Sequence, residues 1–329
     1  MKTLTKPFFA VALLVCLLIA GASAHLAFGA KSLALSEVLS AIFNYNPNAF
    51  EHIIVREMRL PRMVTALLVG ASLSVAGAMM QGVTRNPLAD PGVLALMSGA
   101  SLGVLLADAL GFSDLAWLPW FAVLGALVAA AMVALVLALA SGSNSPILLL
   151  LAGAAVSALL AGVVTGINLL NEDSFANLRL WFAGAITSDA KAVLPYATPG
   201  LLLALAISLV SAGQVNAIAM GREVATGLGI NVRHVGIKLL LLTVVLTALS
   251  VALVGPLGFV GLVVPHAARL IVGGNYRWVI PCSAILGGSF LLWVDLIARA
   301  AFAPMEVATG VVTSLLGAPL FVWLVRARL

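Results

Sequence analysis

Residues 236–272 read GIKLLLLTVVLTALSVALVGPLGFVGLVVPHAARLIV. The run is longer than one membrane crossing requires, since a spanning helix needs about 20 mostly apolar residues. Gly255-Pro256 and Gly258 interrupt it. A proline removes a backbone donor and clashes with the preceding turn. The stretch therefore predicts a full helix followed by a shorter one. Working outward, eight more apolar runs of spanning length lie at about 8–28, 63–82, 93–110, 117–140, 147–170, 192–212, 279–302 and 307–326. The sum is ten helices, and the fold class is an all-α polytopic membrane protein.

Composition points the same way. The 329 residues are 63% hydrophobic and 9% charged, with a mean hydropathy of +1.17. A soluble domain carries roughly 25% charged residues, so this chain cannot cover a water-facing surface of its size. That excludes a soluble enzyme, a nucleic-acid binder and a disordered scaffold. The net charge of +5 is then topology information rather than a footprint for nucleic acid. Cys16 and Cys282 sit in apolar segments with no disulfide pattern, and His25, His52, His234 and His266 lack metal-ligand spacing.

Lys2 and Lys6 precede the first run, and Arg326 and Arg328 follow the last. Basic flanks prefer the cytoplasm, and two inside ends require an even number of crossings. Lys2, Lys6 and the Ala22-Ser23-Ala24 triplet also resemble a signal peptide with its cleavage site. The run is long for that role and its loss would break the even count, so a retained first helix is expected. The topology leaves Arg56, Arg59 and Arg62 outside, against the charge rule. They are either snorkelling interfacial anchors or cations with another task.

Small residues recur every fourth position at Gly70, Ser74, Ala78 and Gly82, and again at Gly99, Gly103 and Ala107. Such stripes let helix backbones approach closely in a bilayer. Charges within spans are few. Asp295 and Arg299 are four apart and can pair on one helix face, and no chain of ionisable groups suggests a relay. The Asn86-to-Gly92 loop, with Pro87 and Pro91, reads as a tight turn or a rigid constriction. Within residues 213–235, the stretch 216–227 predicts a short helix that stops at Gly227 and Gly229, with Asn231 capping the next one. Such a helix is either a connection or a handle for a partner's groove. There is no phosphate-binding loop motif and no catalytic constellation, so the chain itself is expected to be non-catalytic.

Several ordered stretches share a resemblance. They are Arg59-Leu60-Pro61-Arg62 with Leu68-Val69-Gly70-Ala71-Ser72-Leu73 and Ala76-Gly77-Ala78-Met79-Met80-Gln81, then Asn86-Pro87-Leu88-Ala89-Asp90-Pro91-Gly92, then Gly255 through His266, and Asp295-Leu296-Ile297-Ala298-Arg299 with Gly310-Val311-Val312-Thr313 and Leu316-Gly317-Ala318-Pro319. From about residue 30 to the end, the chain resembles the FecCD/BtuC-type permeases of binding-protein-dependent ABC importers.

The resemblance implies a type II ABC importer permease fold, with residues 1–329 as one transmembrane domain and 213–235 as a coupling region within it. It implies a bacterial plasma membrane location with both termini cytoplasmic. The partners would be a second permease, identical or homologous, two ABC ATPase subunits that hold ATP and Mg, and a periplasmic or lipid-anchored binding protein. The chain itself would bind no cofactor and no metal. The expected cargo is a ferric siderophore, with haem and cobalamin as alternatives; a secondary transporter is a rival that would need midplane ion sites.

Roles follow motif by motif. Arg59, Arg62 and Arg299 match outward-facing arginines that receive acidic residues of the binding protein. Arg222, Glu223, Ala225, Thr226, Gly227 and Leu228 match the coupling region, although many members carry an acidic residue where Arg222 stands. Asn86, Pro87 and Leu88 match a cytoplasmic gate, and Ser145 and Pro146 fall near a second one. The fifth and tenth helices line the path in the family, which makes Thr165, Asn168, Thr309 and Thr313 the polar candidates there.

Overall fold

The computed structural model describes residues 5–29, 31–112, 114–140, 146–170, 180–187, 190–301 and 307–326. The described residues are helical with short connections. In chain order the helices are α1 (Thr5–Ala27), α2 (Leu35–Phe43), α3 (Phe50–Ile53), α4 (Leu60–Thr84), α5 (Leu96–Ala109), α6 (Leu118–Leu139), α7 (Pro146–Leu170), α8 (Ala190–Val210), α9 (Ala212–Met220), α10 (Arg222–Gly227), α11 (Val232–Val254), α12 (Val260–Val272), α13 (Tyr276–Ala300) and α14 (Thr309–Arg326). A π-helical segment, Ile54–Arg59, joins α3 to α4, and a 3₁₀ turn, Pro91–Leu94, precedes α5.

Among the described residues, six helices are long and apolar enough to cross a membrane, and four shorter apolar ones accompany them. Together they are α1, α4 to α8 and α11 to α14, in agreement with the ten read from the sequence. The protein is a multi-pass membrane protein. The break at Gly255-Pro256 is present: α11 ends at Val254, Gly255 takes φ +73°, and α12 starts after Phe259 at φ +68°.

Burial separates inner from peripheral helices. In α11 and in the rod Phe50–Thr84, 72% of the apolar window is enclosed by protein, against 22% in α6 and α7. α4 is the axis, packed against α13, α11, α12 and α8. Its small-residue stripe makes this possible. A Cβ on Gly70 would lie 2.2 Å from the Gly287 carbonyl oxygen, and one on Gly77 would lie 1.8 Å from that of Gly261. Only hydrogen fits at those distances, so the backbones themselves are in contact.

The π segment has a local cause and a consequence. Pro61 supplies no N–H and its ring crowds the carbonyl four residues back. The chain widens there, and the Leu60 N–H bonds to Val55 O, five residues back. The wider turn changes which face each arginine presents. Arg56 is exposed, whereas Arg59 is only 4% exposed.

The stretch 216–227 corrects one expectation. It is not a single helix, because Gly221, at φ +125° and ψ 155°, separates α9 from α10. The predicted stop holds: Gly229 is at φ +76° and its N–H bonds to Thr226 O. The Asn231 side chain accepts from the His234 N–H and caps α11.

Candidate functional site

At one end of the bundle a fully buried carboxylate gathers four elements. Asp295 on α13 is 0% exposed. Arg62 donates to it twice, Nε to Oδ2 at 2.9 Å and Nη2 to Oδ1 at 3.0 Å. His25 Nε2 lies 2.9 Å from Oδ2, and since an ionised carboxylate only accepts, that nitrogen carries the proton. Thr309 Oγ1 donates to Oδ1 at 2.9 Å, and Arg299 Nε stands 3.5 Å from Oδ2. α1, α4, α13 and the first turn of α14 are therefore tied at one point.

The other arginines at this end are also engaged inside the protein. Arg59 Nη1 donates to the carbonyls of Leu26 at 2.6 Å and Ala27 at 2.8 Å, and Nη2 donates to that of Lys31. Arg299 Nη2 donates to His25 O at 3.0 Å. Arg59, Arg62 and Arg299, expected to receive acidic residues of a binding protein, thus also hold partners within the chain. Their side chains close the end of α1 and neutralise Asp295, because a buried charge needs partners. Of the last two, Arg62 reaches further out, its side chain 17% exposed against 9% for Arg299. Among the described residues, the exposed cations at this end are Arg56, stacked over the Tyr45 ring at 4.7 Å, Lys31, paired with Glu51 at 2.8 Å, and Lys191, paired with Glu57.

Along the first three turns of α14 an open concavity of about 670 Å³ is lined by Gly310, Val311, Ser314, Leu315, Ala318 and Pro319, facing Ala183, Pro256 and Gly258. Its walls are small and mostly apolar. α14 is held in place from behind: the Gly310 N–H donates to Gly184 O at 2.6 Å. Two of the polar path candidates face away from this space. Thr309 is spent on Asp295, and Thr313, 0% exposed, donates to Thr309 O. Thr165 is exposed on α7 and bonds to Ala161 O. Asn168 lies on α7, its side chain outside the described residues, as is Ser145; Pro146 begins α7.

At the opposite end, the Asn86 turn is rigid. Asn86 Oδ1 accepts from the Leu88 N–H at 2.9 Å, and Arg85 sits in the left-handed region at φ +52°. Leu88, Asp90 and Gly92 share a cavity of about 350 Å³ with Leu150 and Ala154 of α7 and with Phe259 and Leu262. The loop expected to form one gate thus shares a cavity with Leu150 and Ala154 of α7, four to eight residues beyond Pro146. Asp90 Oδ1 accepts from the Gly92 N–H at 2.7 Å, while Oδ2 is sealed and unbonded beside Gly261. Burial pushes this carboxyl up to about 6, with the Gly92 N–H pulling the other way.

α10 lies at this same end. Arg222, Glu223, Thr226, Gly227 and Leu228 are exposed, whereas Ala225 is buried and anchors the helix to the bundle. Sequence reasoning missed the apolar side chains exposed here: Val224 on α10 and Leu228 just after it are 46% and 65% exposed, and Met220 at the end of α9 is 68% exposed. The four-residue spacing of Val224 and Leu228 was the available signal.

A family model, the FecCD transport family, matches residues 13–327. The chain belongs to that family. Among FecCD relatives, the iron(3+)-hydroxamate import system permease protein FhuB of Bacillus subtilis is 39% identical over 319 residues, covering 95% of this chain and 81% of that one. The ferric enterobactin transport system permease protein FepD of Escherichia coli is 40% identical over 316 residues, covering 96% and 94%. A solved inward-facing structure of a metal-chelate type ABC transporter superposes with a TM-score of 0.80 at 29% identity, covering 97% of this chain and 99% of that one. Within this FecCD protein the arginine motifs gather around Asp295 at one end, and the Asn86-to-Gly92 loop and the 222–228 stretch lie at the other.

Proposed function

We propose that the chain is the membrane permease subunit of an ATP-driven importer of metal chelates, and that its cargo is a ferric siderophore. The observation that carries the reading is the α14 concavity. Its wall of small and apolar residues, one-sided in the single chain, suits half of a path completed by a second permease. The FhuB and FepD relatives are named for hydroxamate and enterobactin chelates, which supports iron chelates as the class. Haem or cobalamin would use the same mechanism.

In this reading the Asp295 end is periplasmic. It receives a binding protein around the Arg62 guanidinium and its neighbours Arg59 and Arg299, with charge complementarity setting register and encounter rate. The Asp90 end is cytoplasmic, with both termini on that side. α10 seats in a cleft of one of two ATPase subunits, which hold ATP and Mg. Residues 86–88, together with Ser145 and Pro146 at the entry to α7, are the gate in this reading and close the path there. ATPase closure reaches the gates by rigid-body movement of packed helices. The chain binds no cofactor and performs no bond chemistry.

Affinity purification from native membranes in mild detergent, with mass spectrometry of what is retained, tests the assembly. Recovery of an ABC ATPase, with or without a second permease sequence, is the expected result. Recovery of this chain alone, still active in ion-gradient-driven uptake, contradicts it.

A further inference from the structure

Helix α2 has three sides. At about 100° of turn per residue, Val38 and Ala41 fall on one side, Ser36, Glu37 and Ser40 on a second, and Leu35, Leu39, Ile42 and Phe43 on a third. The first side is buried in a small cluster with Leu26 at the end of α1, Leu33 and Val55. The second is polar. The third is apolar and has no packing partner among the described residues, with Leu35, Leu39 and Phe43 53%, 49% and 77% exposed. Water on that third side is unfavourable, because it leaves four large apolar side chains wet on a nine-residue helix.

The height of α2 says what covers this side. α1 is a 23-residue apolar helix, about 35 Å long at 1.5 Å per residue, which matches the bilayer's hydrocarbon thickness plus part of its boundary. α2 is held at the last turn of α1: the Leu33 N–H bonds to Ala27 O at 2.9 Å, and Leu26 packs in the same cluster. Phe28, 54% exposed, continues the apolar surface from α1. Beside α2 stand two cation–aromatic pairs, Lys31 over Phe50 at 5.7 Å and Arg56 over Tyr45 at 4.7 Å. Aromatic rings with basic side chains at the end of a span are the composition of a membrane–water boundary.

We propose that α2 is an interfacial anchor, lying along the bilayer boundary with Leu35, Leu39, Ile42 and Phe43 against acyl chains and Ser36 and Ser40 turned to water and head groups. Lys31 and Arg56 then lie at phosphate level. A helix with one apolar and one polar side lies in the boundary plane in this manner. The anchor braces the π segment that carries Arg59, since α2 packs directly on it. The inference concerns how the chain sits in lipid and holds whatever its cargo or energy source.

The test uses the full chain with Cys16, which is exposed, changed to Ala and with the buried Cys282 kept. Nitroxide labels go on Leu39→Cys, Phe43→Cys and, as the polar-side control, Ser36→Cys. The protein is placed in vesicles of phosphatidylethanolamine and phosphatidylglycerol. Collision with oxygen, which partitions into lipid, is compared with collision with a water-soluble nickel chelate. The expected oxygen-to-nickel ratio is several-fold higher at 39 and 43 than at 36. Equal ratios at the three sites overturn the proposal by showing water on all sides. Labels at 39 and 43 shielded from both reagents also overturn it, by showing that a protein, either a second copy or a binding protein, covers the face.

Discussion

Arg62 and Asp295, 233 residues apart in sequence, form a two-pronged ion pair that fastens α4 to α13, and His25 and Thr309 complete it from α1 and α14. The carboxylate is fully enclosed, so its ionised form depends on these donors. Removing one member of a buried pair leaves an uncompensated charge and costs about 3–5 kcal/mol. Arg62→Gln and Asp295→Asn should each lower the melting temperature in detergent by a large margin. The double variant should cost well under the sum, because contacting residues couple. Additive losses would show that the two do not act as a pair.

Arg59 makes a different prediction from the exposed cations. Its guanidinium serves three backbone carbonyls at the end of α1. Arg59→Glu should therefore reduce the yield of folded protein before any effect on transport can be read. Arg56→Glu, at an exposed position, should fold normally, with an effect on stability within the 0–1 kcal/mol usual for surface charges. Equal yields for the two variants would contradict the burial difference.

Gly77 and Gly162 are both helical glycines with opposite surroundings. A Cβ at Gly77 meets the Gly261 carbonyl oxygen at 1.8 Å, whereas at Gly162 none of the described residues comes within 4 Å. Gly77→Ala should separate α4 from α12, at or above the about 1–3 kcal/mol typical of overpacking. Gly162→Ala should be neutral or slightly stabilising. Thermal unfolding of the two variants in the same detergent decides this.

Asp90 predicts a pH dependence. Its carboxyl is raised from 3.8 to about 6 in the folded chain, chiefly by burial. A raised folded value means that the group's contribution is fully present below the unfolded value and is lost as pH rises through about 6. Asp90→Asn keeps an acceptor for the Gly92 N–H and remains neutral. It should melt above the unaltered protein near pH 8, and the gap should shrink toward about pH 5. A gap independent of pH would contradict the burial argument.

α10 predicts loss of assembly without loss of folding. Val224 and Leu228 are exposed, so Leu228→Asp should leave the melting temperature nearly unchanged. It should also remove the ATPase from the affinity-purified complex, if that apolar face fills a cleft. Ala225→Arg, at a buried position, should destabilise the chain itself.

The helices were legible in the sequence because length and hydropathy alone determine what crosses a bilayer. The break at Gly255-Pro256 was legible because proline chemistry is local. The break at Gly221 was not, since a glycine is tolerated within short helices and only its φ of +125° decides. The Asp295–Arg299 spacing was visible, but the cluster around it was not. His25 lies 270 positions away, and nothing local to either residue announces the contact. Arg59 is buried at the end of a π turn that runs into Pro61, a geometry that a 3.6-residue periodicity does not contain. Thr309 and Thr313 were chosen for polarity, yet burial among neighbours directs their hydroxyls to Asp295 and to the helix backbone.

The central claim is ATP-driven passage of a metal chelate along the α14 face. The most direct measurement is uptake of radioactive ferric siderophore into vesicles holding the purified complex with its binding protein. The account predicts uptake that requires hydrolysable ATP on the ATPase side and survives collapse of every ion gradient. It also predicts loss of uptake when Ser314 and Ala318 are replaced by tryptophan to fill the concavity. Uptake that proceeds without ATP and stops when an ion gradient is dissipated would contradict it.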